Sequence, residues 1–130
     1  MELSQDKFSV ITYDEDTAIL TLTWTAATAE MTDEDFKAVN LTYADFAEER
    51  NVQRLLVDVR EFGHQFGPTL GEWRMKTIIP KYHSAGVEKM AFLHGPDFDE
   101  SGPGMAGAGE NFVTRHFASL EGAQSWLVKS

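Results

Sequence analysis

The stretch QRLLVDV, Gln53–Val59, is apolar at consecutive positions rather than at alternate ones. A strand turns successive side chains to opposite faces, so Leu55, Leu56 and Val57 in a row place apolar groups on both sides. A strand of that kind is stable only in the middle of a sheet, covered on both faces or flanked by parallel neighbours. The rest of the chain has to supply those neighbours and that cover.

It does so in alternation. Residues 17 to 25, TAILTLTWT, carry Ala18, Leu20, Leu22 and Trp24 on one face and Ile19, Thr21, Thr23 and Thr25 on the other, a half-buried strand. KFSVITY precedes it and DED joins the two into a hairpin. Thr32 then stands before DEDFKAVNLTYADFAEER, where Phe36, Val39, Tyr43, Phe46 and Ala47 recur at helical spacing and acids fill the first turn. After the central strand a second helix is expected from about Pro68 to His83. VEKMAFLH and NFVTRHF read as further strands, and Ser119 caps a last helix that buries Ala123, Trp126 and Leu127. The expected fold is therefore α/β, one domain over residues 1–130, with a mixed or largely parallel sheet of about five strands covered by helices.

Charge narrows the function classes. Eleven Lys and Arg against 21 Asp and Glu leave a formal charge of −10, which repels phosphate backbones and anionic lipid surfaces. No nucleic-acid partner is expected. No cysteine is present, so disulfides and thiolate metal sites are excluded. The N-terminus MELSQDKFSVITYDED lacks a basic start and an apolar core, and no stretch approaches the roughly 20 apolar residues of a membrane span. A cytoplasmic location without membrane insertion is the expectation.

Ligands of open α/β sheets gather beyond the carboxyl ends of the strands. The loop after the central strand, with Arg60, Glu61, His64 and Phe66, lies at such an end. His94 and His116 lie near the ends of their own strands, so parallel strands would bring three imidazoles to one edge, with Glu61 or Asp97 as a carboxylate partner. Without a short-spaced pair such as HxxxH, neither a metal site nor a catalytic histidine is assigned. Asp58, an acid inside an apolar strand, is read as pairing with Arg60 or Arg74 or capping a turn rather than as a buried base. GPGMAG, Gly102–Gly107, has the letters of a dinucleotide fingerprint but opens no strand–helix unit, and no Ser stands in a GxSxG setting. Residues 102–109 are instead read as a flexible segment over the strand ends.

On the second helix, Gly71, Met75, Ile78, Ile79 and Tyr82 form one stripe, while Leu70, Trp73 and Thr77 point about the opposite way. If the first stripe is core, Leu70 and Trp73 remain beside the loop as a partner surface or pocket wall. A break at or before Pro80 would instead let both stripes bury.

Taken together, the strand pair, the acidic-start helix, VQRLLVDVREFGH, VEKMAFLHG and RHFASLEGAQSWL resemble the SpoIIAA-like proteins, relatives of the STAS domains of anti-sigma factor antagonists and anion-transporter tails. The likeness spans most of the chain and ends in a spaced set, Phe117, Ala123, Trp126 and Leu127. It implies a sheet backed by helices, no cofactor and no enzymatic activity. It also implies that the loop after the central strand and the next helix face a protein partner, with a phosphorylatable hydroxyl at the helix start. Thr69 is the only hydroxyl in GPTLGEW and is the candidate phosphosite, although the DSSG pattern of such switches is missing and the Gly-rich segment replaces a helix. The expectation is a non-enzymatic interaction module contacting its partner through Arg60, Glu61, His64, Phe66, Thr69, Leu70, Trp73 and His94, with a homodimer left open. The second reading is a carrier or sensor of a small apolar ligand, gated by residues 102–109.

Overall fold

The structure, a computed structural model, describes residues 1–65, 68–98 and 112–129. Its sheet has six strands in sequence order: β1 Glu2–Gln5, β2 Ser9–Asp14, β3 Ile19–Trp24, β4 Arg54–Asp58, β5 Lys89–Leu93 and β6 Val113–Phe117. β1, β2 and β3 pair antiparallel, and β3, β4, β5 and β6 run parallel. The mixed α/β sheet expected from the sequence is thus present, with one strand more. β1 has four residues, none fully buried, and meets β2 through a register shift between Glu2 and Ser4, so no apolar alternation announced it.

β4 is central, as its doubly apolar pattern requires. Leu55 and Val57 enter one core with Leu20, Leu22, Trp24, Tyr43 and Tyr82, and Leu56 enters a second with Ile19, Leu93, Phe117 and Leu127. Helix α1, Asp33–Arg50, covers the first face together with α3, Ile79–Ala85. Helix α4, Leu120–Val128, covers the other. Tyr43 fastens α1 to the sheet: its buried hydroxyl donates to the carbonyls of Leu20 on β3 at 2.7 Å and Leu56 on β4 at 3.2 Å. Burial pushes that phenol well above its ordinary pKa, so it stays a donor.

α1 starts where the sequence says it should. The Thr32 hydroxyl accepts from the Asp35 N–H at 3.2 Å, and the Asp35 carboxylate accepts from the Thr32 N–H at 3.1 Å, a reciprocal cap next to the positive end of the helix dipole. Phe36, Val39, Tyr43 and Ala47 are buried, whereas Phe46 is half-buried.

The second helical segment departs from its expected geometry. It runs from α2, Pro68–Trp73, through a π turn, Arg74–Ile78, into α3. Pro80 has no N–H to give the ordinary i→i−4 bond, and the π turn lies just before it. A π turn holds one extra residue. At about 100° per residue, Leu70 would stand about 80° from Ile78 and 120° from Tyr82, but with one residue looped out it stands about 20° from both. Leu70 is accordingly only 2 % exposed, so the reading that left it on the surface is corrected: it joins Ile78, Ile79 and Tyr82 in the core, while Trp73 and Met75 are half-buried and Gly71 stays exposed.

α4 is capped by Ser119, whose hydroxyl accepts from the Gly122 N–H at 3.1 Å. Ala123 and Leu127 are buried, while Trp126 is half-buried, with Lys89 and Arg115 over its ring. No helix among the described residues is long and apolar enough to cross a membrane.

Candidate functional site

The four parallel strands end on a common rim. Thr23, Asp58, Leu93 and Phe117 are in register across β3, β4, β5 and β6, so the segments that follow β4 and β5 emerge side by side. Arg60, His94 and His116 all sit at this border, as parallel strands demand. Val59 N–H donates to the Leu93 carbonyl and His94 N–H to the Phe117 carbonyl, carrying the ladder one step beyond the strands.

The loop after β4 is a built structure rather than a slack turn. Its first fastening is Asp58, a buried acid whose carboxylate accepts the Arg60 backbone N–H at 3.1 Å and, through two oxygens, Arg60 Nε at 3.0 Å and Nη2 at 2.7 Å. Arg74, the other partner weighed for Asp58, reaches Met90 Sδ on β5 instead, at 3.5 Å.

A second fastening comes from a 3-10 turn, Ala26–Glu30, between β3 and α1. The fully buried Thr28 hydroxyl donates to the Thr25 carbonyl at 2.7 Å, accepts from the Gly63 N–H at 2.8 Å and lies 3.4 Å from the Glu61 carbonyl. Gly63 suits this approach, since a Cβ there would lie 3.1 Å from Ala29 Cβ, a tight contact.

A third is aromatic and hydrogen-bonded. Phe62 enters a cluster with Trp24, at 5.1 Å between ring centroids, and with Phe36, at 6.1 Å. His64 stacks on Phe36, stands edge-on to Phe62, and puts Nε2 2.8 Å from Asp33 Oδ1 in the first turn of α1. Its side chain is 9 % exposed.

His64 therefore does not join the other two histidines. His94 Nε2 lies 2.8 Å from His116 Nδ1, His116 stacks on Phe92, and Phe98 stacks on His94 at 4.0 Å with nearly parallel rings. Burial lowers the pKa of both imidazoles, and for His94 the neighbouring His116 charge lowers it further. The three imidazoles share the rim, as parallel strands imply, but stand there as a pair and a separate His64–Asp33 contact rather than as one cluster. Among the described residues no group of three or more His, Asp or Glu is placed to hold a metal.

Of the other residues singled out from the sequence, Arg60, Glu61 and Thr69 are exposed. Trp73 is half-buried under Lys37, whose ammonium is 5.7 Å from the indole centroid. Phe66 and residues 102–109 lie outside the described residues. Sequence reasoning missed Thr28, Asp33 and Phe62. Only Asp33 carried a signal, as one acid in a helix's first turn, and nothing in it pointed to His64.

Two grooves lie elsewhere, one at the opposite border of the sheet and one along its β1–β2 edge. One, of about 480 Å³, is lined by Met1 and Thr12–Asp16 at the tip of the β2–β3 hairpin. The other, of about 210 Å³, runs between β1–β2 and α1 past Phe8, Ile11 and Val39.

A family model described as SpoIIAA-like matches residues 22–128, from the middle of β3 to the end of α4. No curated protein and no solved structure matches the chain.

Proposed function

The chain belongs to the SpoIIAA-like family, and from that premise we propose that it is a non-enzymatic regulatory module, one domain over residues 1–130, that binds a protein partner. The contact surface is the loop after β4 with the helix that follows, and the exposed Arg60, Glu61 and Thr69 meet the partner first. One observation carries the reading: three independent fastenings hold this loop while Glu61, and Thr69 on the helix that follows, stay exposed. A loop whose backbone is fixed in advance loses little conformational freedom on binding, the property a recognition surface needs. Trp73 and Lys37 border it, and His94 lies next along the rim. A cytoplasmic setting fits such a role.

The space between α1, α3 and the sheet holds Tyr43, Tyr82, Ile78 and Ile79, all buried, and the larger groove lies at the sheet's far border from the rim. Protein contact is therefore favoured over carriage of an apolar ligand.

A photo-crosslinking side chain placed at Glu61 or Thr69, and at Glu49 on the exposed back of α1 as control, tests this in the native host cell. The reading expects one discrete protein adduct from the first two positions and none from the third. Equal labelling from all three, or none from any, would overturn it. An adduct at twice the chain's own mass would identify the partner as a second copy.

A further inference from the structure

We propose that the His94–His116 pair is an acid-operated latch that holds the turn Gly95–Phe98 against the end of β6 and releases it when the pair takes up a proton. Four nitrogens decide the matter. His94 Nε2 and His116 Nδ1 face each other at 2.8 Å, so one hydrogen sits between them. His116 Nε2 is buried and has no hydrogen-bond partner.

A neutral pair holds two ring hydrogens, one in the contact. If His116 Nδ1 carries it, the second is on His94 Nδ1 and His116 Nε2 is a bare lone pair. If His94 Nε2 carries it, the second is on His116 Nε2. A singly protonated pair holds three, and with the contact intact the other two must occupy His94 Nδ1 and His116 Nε2. Every route to one added proton that keeps the contact therefore ends with a charged pair in which the buried His116 Nε2–H has no acceptor. That arrangement is unfavourable enough that the ring must turn toward water.

Among the described residues, neither ring has a hydrogen bond or ion pair to a carboxylate. On the same sheet face, Arg74 from the π turn reaches Met90, adding a cation rather than a carboxylate. α1 and the loop after β4 present Asp33 and His64, which are bound to each other. From β4, Asp58 stands on the opposite face and is occupied by Arg60, and Arg115 of β6 stands over Phe117 and Trp126. Asp97 lies in the turn itself. The lowered pKa of both rings agrees with a pair kept neutral until mildly acidic pH.

What opens is defined by the stacking. Phe98 rests flat on His94, its N–H bound to the Gly95 carbonyl, and His94 N–H holds the Phe117 carbonyl. Turning the pair outward takes away the surface on which Phe98 lies.

Amide hydrogen exchange at His94 and Phe98, corrected for the intrinsic effect of pH and followed from pH 7.5 to 5, reads the opening. In the wild type the open fraction is expected to rise about tenfold per pH unit, the slope of one proton taken up. His116→Asn keeps an amide at the Nδ1 position and has no Nε2, so its open fraction should be flat across that range. ¹⁵N spectra of the wild-type rings supply a second readout should that variant not fold: loss of Phe98 protection must coincide with protonation of His116. Protection that persists through that titration, or a His116→Asn protein with the wild-type slope, would overturn the latch.

Discussion

The hydroxyl of Thr28 accepts a hydrogen bond from the backbone N–H of Gly63 at 2.8 Å, across 35 positions of sequence. It is the single direct bond between the 3-10 turn before α1 and the backbone N–H groups of the rim loop in the described residues, and it is wholly shielded from water at the Thr28 end. Removing the hydroxyl leaves the Gly63 N–H without its partner on an exposed residue. Thr28→Val should lower stability by about 1 kcal/mol, the usual worth of one hydrogen bond, with a selective rise in hydrogen exchange at Gly63. Denaturant unfolding together with residue-resolved exchange measures both; unchanged exchange at Gly63 would show that the loop is held by other means.

Tyr43→Phe tests the link between α1 and the parallel strands. It keeps the ring that meets Tyr82 and deletes only the hydroxyl that spans the Leu20 and Leu56 carbonyls. A loss of about 1 kcal/mol per ordinary hydrogen bond is expected by chemical denaturation. A variant as stable as wild type would mean that the strand ladder satisfies both carbonyls unaided.

At the start of α4, a glycine serves a cap. A Cβ on Gly122 would lie 2.9 Å from Ser119 Oγ, so alanine there must displace the capping hydroxyl. Gly→Ala in a helix gains about 1 kcal/mol, and losing a Ser cap costs about the same. Gly122→Ala alone should therefore be near neutral, but in a Ser119→Ala background it should stabilise by about 1 kcal/mol. Thermal unfolding of the four proteins in this cycle decides it, and equal effects in both backgrounds would remove the glycine's role.

Stability should also depend on pH through the histidine pair. In the folded chain burial lowers both imidazole pKa values, whereas the unfolded chain titrates near the ordinary value of about 6.5. Below that value the unfolded state binds more protons than the folded one. The pair's contribution is thus fully present above about pH 6.5 and declines as pH falls toward the lowered folded values. Denaturation midpoints at pH 7.5 and 5.5 should differ by less in the double variant His94→Gln, His116→Asn than in wild type. Equal differences would assign the effect to other groups.

How much of this was legible follows from the range of each interaction. α1 was readable because its cap, its acids and its spacing lie within 18 consecutive residues. β4 was readable because burial on two faces leaves a mark in a single run. β1 was not, since an edge strand of two exposed and two half-buried residues has no such mark. Leu70 was misplaced because periodicity assumes a constant rotation per residue, which the π turn breaks. At the site, the rim itself was legible from parallel strands, and Arg60 met Asp58 because two residues separate them. Thr28 with Gly63 and Asp33 with His64 are joined over more than 30 positions, so no local pattern could record them.

The central claim is that the loop after β4 is held still by its inward side chains while Arg60 and Glu61 remain exposed. Backbone ¹⁵N relaxation of Arg60–Gln65 in the free protein tests it most directly. Order parameters near 0.85, the level of rigid backbone, are expected throughout, and values below about 0.6 would contradict it.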